Sequence, residues 1–219
     1  MFIIKKKYFL FIERIKDINL SNIKKNKFVI IYRSYKTKDS LKNLIKFRRE
    51  CLKKKIKFYI ANDLKLCVTL KADGIYLSAF NKSFKPLSLL KNKFKIIGSA
   101  HNYKEIFEKL KQGCELIIFS KLFIVNYDRN SPYLGLVKYN KFLNYFNKKL
   151  IPLGGINYQN LNKLQLINSE GFALFSEVKK EMSINDISEK LKSNPEHTRR
   201  VCTELFLPKQ IGIKKRTSK

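Results

Sequence analysis

Histidine, cysteine and tryptophan are scarce in this sequence. Its 219 residues include two histidines, four cysteines and no tryptophan. The two histidines have no spacing typical of metal ligands, which argues against a histidine metal site. The cysteines are far apart and form no Cys-X-X-Cys pair: Cys51, Cys67, Cys114 and Cys202. We therefore expect buried free thiols in a reducing compartment.

Long apolar runs are also missing. The apolar start Met1–Ile4 is interrupted by Lys5, Lys6 and Lys7, and no small-residue cleavage site follows it. A membrane helix needs about 20 consecutive apolar residues. We therefore expect a cytoplasmic protein without a targeting segment and without a membrane partner.

Acidic residues are few compared with basic ones. The chain has 17 acidic and 47 basic residues, a net charge of +30. Three explanations compete: nucleic-acid binding, attraction of anionic substrates, and a lysine-rich coding bias. The lysines are spread through every predicted helix and the strand flanks, and no recognition helix, zinc finger or aromatic RNA-binding motif is present. This favours coding bias, with no specific nucleic-acid partner and only weak, salt-sensitive binding.

Eight short apolar runs are present, most of them ending at a polar residue or glycine. The runs are Tyr8–Ile12, Phe28–Tyr32, Phe58–Ala61, Gly74–Leu77, Phe94–Gly98, Leu116–Phe119, Leu150–Leu153 and Phe172–Phe175. Most of the intervals have helical apolar spacing, which predicts buried parallel strands covered by helices. The pattern predicts one (β/α)₈ TIM barrel of the α/β class over residues 1–193, followed by a basic C-terminal tail at 194–219.

The helix predictions follow from spacing and breakers. The predicted helices are Lys38–Lys53, Leu64–Leu70, Tyr103–Gln112, Leu136–Asn147, Tyr158–Asn168 and Ile184–Leu191. A short connection without a long helix is expected after the first strand. In such a barrel the polar residues that follow the strands all lie at the carboxyl-terminal mouth.

Gly154 and Gly155 after strand seven, with Ser176 after strand eight, form the most specific local signal. In barrels these two loops often bind phosphate through backbone N–H groups and a helix N-terminus. Glycine permits the close approach of backbone to phosphate. The pattern predicts a site for a small phosphorylated substrate. The alternative is an ordinary strand–turn–helix junction.

Three more strand ends carry candidate residues, each with a structural alternative. Asp63 could ligate Mg²⁺ while Asn62 holds a polar ring or phosphate oxygen, or the pair could cap the next helix. Arg33 could clamp a phosphate or form a salt bridge at the rim. His101 could transfer protons, or His101 or Ser99 could cap a helix.

Several segments together resemble one family. The string from Phe58 to Ser78 is similar to "iiNDrvdlAlalgAdGvHLG" of the thiamine phosphate synthase and thiazole tautomerase family. Ile97–Asn102 with Glu105 resembles "iGvSaHs.eE". The match continues through Leu134-Gly135, Ile151–Ile156 with Asn160, and Gly171–Ser176. The resemblance covers about residues 7–180, in the family's order and spacing.

The resemblance implies a (β/α)₈ barrel and a defined reaction. The family's synthase joins hydroxymethylpyrimidine diphosphate to a thiazole phosphate with Mg²⁺-assisted release of pyrophosphate, and a sister branch is a thiazole tautomerase. By resemblance, Asp63 would bind the metal and Asn62 would lie near the diphosphate. Gly154, Gly155 and Ser176 would hold the thiazole phosphate. Ser99 would lie beside the pyrimidine.

Departures from the family's motifs predict altered chemistry. Tyr35 stands where the family has a diphosphate-contacting lysine, and Asn81 replaces a metal-binding aspartate. The segment from Ile124 to Asp128 lacks the threonines and lysine of "pTxTK". We expect a weakened Mg²⁺ site and a transferase with reduced or altered activity. The alternative is a noncatalytic or tautomerase-like binder of a phosphorylated ligand, and the sequence leaves open whether it forms a homo-oligomer.

Overall fold

The computed structural model describes residues 7–23, 27–35, 39–83, 94–125, 128–147 and 149–174. Three predictions lie outside these residues. They are the phosphate contact of Ser176, the closing helix Ile184–Leu191 and the basic tail at 194–219.

Eight parallel strands form the sheet. They are β1 (Lys7–Ile12), β2 (Phe28–Tyr32), β3 (Lys57–Ala61), β4 (Gly74–Leu77), β5 (Lys95–Ala100), β6 (Leu116–Ser120), β7 (Leu150–Leu153) and β8 (Gly171–Leu174). Hydrogen bonds join them in the order β7-β6-β5-β4-β3-β2-β1-β8. β7 and β8 also lie in contact, so the sheet curls into a nearly closed barrel. The predicted TIM-barrel fold is confirmed.

Alternate residues along each strand pack into two separate cores, one inside the barrel and one under the helices. In β1, Phe9 and Phe11 point into the barrel, where they pack with Tyr59 and Tyr76. Tyr8 and its outward-facing neighbours pack under the helices. Successive side chains of a strand point to opposite faces. Both faces of these strands are therefore buried, which explains why the runs are apolar throughout.

Four α-helices cover the sheet in the described residues: α1 (Leu41–Lys53), α2 (Leu64–Thr69), α3 (Tyr103–Lys111) and α4 (Gly135–Tyr145). Side chains cap the first three: Ser40 on α1, Asp63 on α2 and Asn102 on α3. None of the helices in these ranges is long and apolar enough to cross a bilayer. A short connection without a long helix was predicted after β1, and in the described residues there it contains two 3₁₀ turns, Ile15–Asp17 and Leu20–Asn22.

One predicted helix has a different geometry. The segment predicted as an α-helix at Tyr158–Asn168 is a 3₁₀ helix, Tyr158–Leu166. Its buried residues Leu161 and Leu164 are three positions apart, and the buried Ile167 is the extended residue that ends it. A 3₁₀ helix has three residues per turn, so this spacing places Leu161 and Leu164 on one face.

β5 also differs from its prediction. The apolar run predicted it at Phe94–Gly98, but it runs from Lys95 to Ala100. Ser99 and Ala100 therefore lie within the strand, where they pair with Ile118 and Phe119 of β6. Ser99 is consequently held by the sheet and not by a loop.

Asp73 holds the turn before β4 in place. Its carboxylate accepts hydrogen bonds from Arg48 of α1 at 2.8 Å and from the backbone N–H of Phe58 at 2.9 Å. Arg48 also donates to the carbonyl oxygen of Lys71. Because the Arg48 guanidinium is buried, pairing and hydrogen bonds must offset the cost of removing it from water. This part of the family-like motif therefore stabilises the fold.

Candidate functional site

A cavity of about 420 Å³ opens at the carboxyl ends of the strands. Five of the predicted site residues line it: Arg33, Ser99, His101, Gly154 and Gly155. The volume lies in the range of small-molecule sites, about 300–1,000 Å³. The structure therefore brings these residues from the ends of three strands, β2, β5 and β7, together around one space.

Arg33 offers a cationic group to this cavity. Its guanidinium carbon lies 4.7 Å from the ring centre of Tyr35 and 5.9 Å from that of Phe11. Its Nε atom is buried and has no hydrogen-bond partner. A buried donor without a partner is costly. A ligand oxygen in the cavity could satisfy it, which favours the anion clamp over the rim salt bridge.

His101 is bonded to Ser120 across the mouth. Its Nδ1 atom lies 2.7 Å from the Ser120 Oγ, which joins the ends of β5 and β6. The His101 backbone N–H donates to Glu105, and Asn102 is the residue that caps α3. The alternative that Ser99 or His101 caps this helix is therefore wrong, and the His101 ring is directed to Ser120.

Tyr76 is a cavity residue that sequence reasoning did not single out. Its ring packs edge-on against Phe11 with centroids 5.2 Å apart. Burial raises the pKa of the Tyr76 phenol, while a hydrogen bond with Ser99 and the charge of Arg33 act in the opposite direction. Ser99 is thus hydrogen-bonded to Tyr76 at the base of the cavity. The isolated tyrosine inside an apolar strand was the only signal for it.

Gly154 and Gly155 adopt backbone conformations that favour glycine, with φ of +99° and +66°. Asn160 donates to the carbonyl oxygen of Gly155 at 2.7 Å and fixes the turn. Within the described residues, neither glycine N–H donates a hydrogen bond. The strand–turn–helix junction and the proposed phosphate site are compatible. The turn requires glycine for its backbone conformation, and its two N–H groups can also donate to an anion.

Asn62 and Asp63 lie beside the cavity and do not line it. Asp63 Oδ1 accepts from the N–H of Leu66 at 2.9 Å, so the capping interpretation is confirmed. The Asn62 side chain is bonded to Ser78 and, at 3.2 Å, to Asn81. The segment with Asn62 and Asp63 is therefore in contact with the segment that contains Asn81. By the family resemblance, these are the two segments that would bind the metal.

These residues fit Mg²⁺ poorly. The ion prefers octahedral oxygen ligands and is usually held by one or two carboxylates. Here Asp63 brings the one carboxylate, and it also caps a helix. Asn81 is a neutral amide that bonds Asn62 and the N–H of Ser83. In the described part of the chain, no group of three or more His, Cys, Asp or Glu side chains could hold a metal.

Lys121 is a second cation at the cavity that sequence reasoning missed. Its ammonium donates to Asp128 at 2.9 Å and to Ser131. This hydrogen bond is the main reason that the pKa of the Asp128 carboxyl is lowered. Asp128 stands where the family motif has lysine, so a carboxylate occupies that position and forms an ion pair with Lys121. Its place directly after β6 was the available signal.

The chain belongs to the TMP-TENI family, described as thiamine monophosphate synthase, whose family model matches residues 2–178. A thiamine-phosphate synthase of Prochlorococcus marinus subsp. pastoris is 32% identical over 58% of this chain. One from Methanococcus vannielii is 24% identical over 65%. These matches span 37% and 68% of the respective relatives. A match in another Prochlorococcus marinus strain spans 47% of that relative.

Solved structures share the fold. Thiamine phosphate pyrophosphorylase from Pyrococcus furiosus has a TM-score of 0.68 at 16% identity, covering 93% of this chain and 98% of its own. KGPDC from Streptococcus mutans has a TM-score of 0.62 at 10% identity, covering 85% and 97%. At these identities the likeness supports the barrel alone. Family membership supports a function in thiamine biosynthesis.

Proposed function

We propose that the mouth binds a thiazole phosphate and that the protein joins it to hydroxymethylpyrimidine diphosphate at a reduced rate. The observation that carries the proposal is the arrangement of Arg33, Lys121 and the N–H groups of Gly154 and Gly155 around one cavity. Cationic side chains and free backbone N–H groups at a glycine turn are the usual ligands of phosphate. Ser176 would complete this phosphate site.

The remaining surface of the cavity suits a planar ring. Phe11, Tyr76, Leu153 and Ile156 supply apolar walls. Thiazole and pyrimidine rings are flat and can pack against aromatic side chains. Ser99 would lie beside the pyrimidine, as the family resemblance implies.

The reduced rate follows from the poor Mg²⁺ site. A departing pyrophosphate accumulates negative charge, which preorganised cations must stabilise. Asp63 alone gives the metal a weak anchor, and Tyr35 cannot replace a lysine at the diphosphate. Asn62 would still hydrogen-bond the diphosphate, and Arg33 would supply part of the missing charge.

Calorimetry with thiazole phosphate and the unphosphorylated thiazole alcohol tests the binding proposal. The phosphate should bind at least about tenfold more tightly, since each charge-assisted hydrogen bond contributes about 1.5–3 kcal/mol. Equal affinities for the two compounds would contradict a phosphate site at this mouth.

A second candidate function is proton transfer on a phosphorylated thiazole, as in the tautomerase branch. The hydrogen bond between His101 Nδ1 and Ser120 Oγ favours it, because it orients a side chain suited to acid–base catalysis. NMR can follow conversion between thiazole phosphate tautomers. His101→Asn should slow an enzymatic conversion about 10²–10⁴-fold. An unchanged rate would remove His101 from this role.

A further inference from the structure

The opposite end of the barrel contains a second cavity, of about 380 Å³. It opens at the amino ends of the strands, away from the mouth. Its floor is apolar and includes the inward-facing side chains of Phe9, Tyr59 and Ile97. In barrels this end ordinarily contributes to stability and carries no chemistry.

The rim of this cavity is strongly basic. Five lysines line it: Lys7, Lys27, Lys55, Lys57 and Lys95. The lining contains two acidic residues, Glu115 and Glu170, so its net charge is +3. Coding bias alone spreads lysines over solvated positions in general. Here they surround one concavity at the starts of the strands.

Neighbouring strands bring several of these charges together. The N–H of Tyr8 donates to the carbonyl oxygen of Lys27 at 2.8 Å, which sets Lys7 and Lys27 side by side on β1 and the start of β2. Adjacent strands lie about 4.8 Å apart. Like charges directly opposite each other on neighbouring strands repel one another.

Carboxylates neutralise only part of the rim. Lys7 pairs with Glu170 at 3.9 Å, and Lys95 pairs with Glu115 at 3.3 Å. Lys57 pairs with Asp73. Lys27 and Lys55 form no ion pair with a described residue. A cleft lined by charge of one sign over an apolar floor concentrates ions of the opposite sign.

We propose that the amino-terminal end of the barrel binds a polyphosphate anion, with Lys27 and Lys55 as its principal contacts. A chain of phosphates carries several negative charges and is long enough to bridge ammonium groups of lysines that precede the adjacent strands β2 and β3. The anion is either a free polyphosphate or the triphosphate of a nucleotide, whose base would pack on the apolar floor. This site is separate from the mouth and does not depend on the function proposed for it.

Calorimetry with tripolyphosphate tests the site in three matched variants of the full chain. Lys27→Gln with Lys55→Gln should weaken binding at least about tenfold, because two nearby charges are lost. Lys42→Gln with Lys46→Gln removes the same charge from the exposed face of α1 and should leave the affinity within about twofold. Arg33→Met weakens any phosphate binding at the mouth, and the loss caused by the Lys27/Lys55 change should be the same in that background as in the intact protein. Circular dichroism confirms that each variant is folded.

The same titration with ATP distinguishes the two sources of phosphate. ATP binding more tightly than tripolyphosphate supports a nucleotide, and equal binding supports a free polyphosphate. An equal loss of affinity in the Lys27/Lys55 and Lys42/Lys46 variants would show diffuse attraction by the net charge and would overturn the proposal. Failure of the intact protein to bind either compound at 150 mM salt would overturn it as well.

Discussion

Gly155 faces the backbone of Ile124 so closely that a Cβ atom at Gly155 would lie 2.3 Å from the Ile124 carbonyl oxygen. The turn after β7 is therefore packed against the loop after β6. A bulky residue at Gly155 would displace this backbone as well as block an anion. Loss of phosphate binding in such a variant would not by itself identify a phosphate site.

Gly155→Ala should destabilise the protein by more than Gly135→Ala. Both glycines have a similar positive φ, +66° and +67°, but a Cβ at Gly135 meets no atom within 4 Å. Gly135→Ala should cost about 1–2 kcal/mol from the left-handed backbone alone. Gly155→Ala adds the clash, and urea unfolding should show the larger loss. Equal losses of stability would mean that the loop after β6 moves away from the new Cβ atom without destabilising the protein.

Arg33→Met should weaken binding of thiazole phosphate about 10- to 100-fold. The change removes the half-buried guanidinium with its buried, unpaired Nε while keeping an apolar side chain against Phe11. Arg49→Met on the exposed face of α1 is the matched control for net charge and should change the affinity less than twofold. Calorimetry measures both variants. A similar loss in the two variants would indicate general electrostatic attraction instead of a clamp at Arg33.

Asn81→Asp should tighten Mg²⁺ binding, because the new carboxylate would lie near Asp63 and Asn62. Isothermal titration in the presence of pyrophosphate can measure the effect. Asn43→Asp, exposed on α1, adds the same charge elsewhere and should have no effect. Adding Tyr35→Lys to Asn81→Asp should also improve capture of the pyrimidine diphosphate. If Asn81→Asp leaves the Mg²⁺ affinity unchanged, the side chain at position 81 does not face the metal.

Buried thiols should make the fold sensitive to alkaline pH. Burial raises the pKa of Cys51 from 9.0 to about 12. The folded state then keeps a proton that the unfolded chain loses, so this contribution is full below pH 9 and declines as the pH rises toward 12. Urea unfolding at pH 7 and pH 10 should show a smaller decline for Cys51→Ala than for the intact protein.

Leu44→Ala is the control for that comparison. Leu44 is buried on the same helix, so its truncation also leaves a cavity but removes no titrating group. It should show the same decline with pH as the intact protein. If Cys51→Ala behaves like Leu44→Ala, the Cys51 thiol does not contribute to the pH dependence.

The strands could be predicted from sequence because both of their faces are buried, so apolar runs mark them directly. The 3₁₀ helix Tyr158–Leu166 was predicted as α because its Leu161, Leu164 and Ile167 spacing suits both geometries over so short a segment. The last two residues of β5, Ser99 and Ala100, were not predicted as strand because they are not strongly apolar. Their hydrogen bonds come from pairing with β6.

The site could be predicted only in part. Arg33, His101 and the two glycines follow strands, so the barrel rule places them at one mouth. The same rule places Lys121, directly after β6, at this mouth, but it does not predict the ion pair of Lys121, and Tyr76 lies inside β4, where the rule does not apply. Lys121 contacts Asp128, seven residues further along the chain. The place of Tyr76 in the cavity depends on its hydrogen bond with Ser99 of β5. Such contacts between distant segments leave no local pattern.

The most direct test of the proposed function is the turnover of the unmodified protein with both precursors and Mg²⁺. Thiamine phosphate and pyrophosphate can be quantified together by chromatography. We predict saturable binding of thiazole phosphate with product formation well below the ordinary enzymatic range of about 1–10³ s⁻¹. Turnover within that range would contradict the account, because a site with Asn81 and Tyr35 would then be sufficient for full synthase activity.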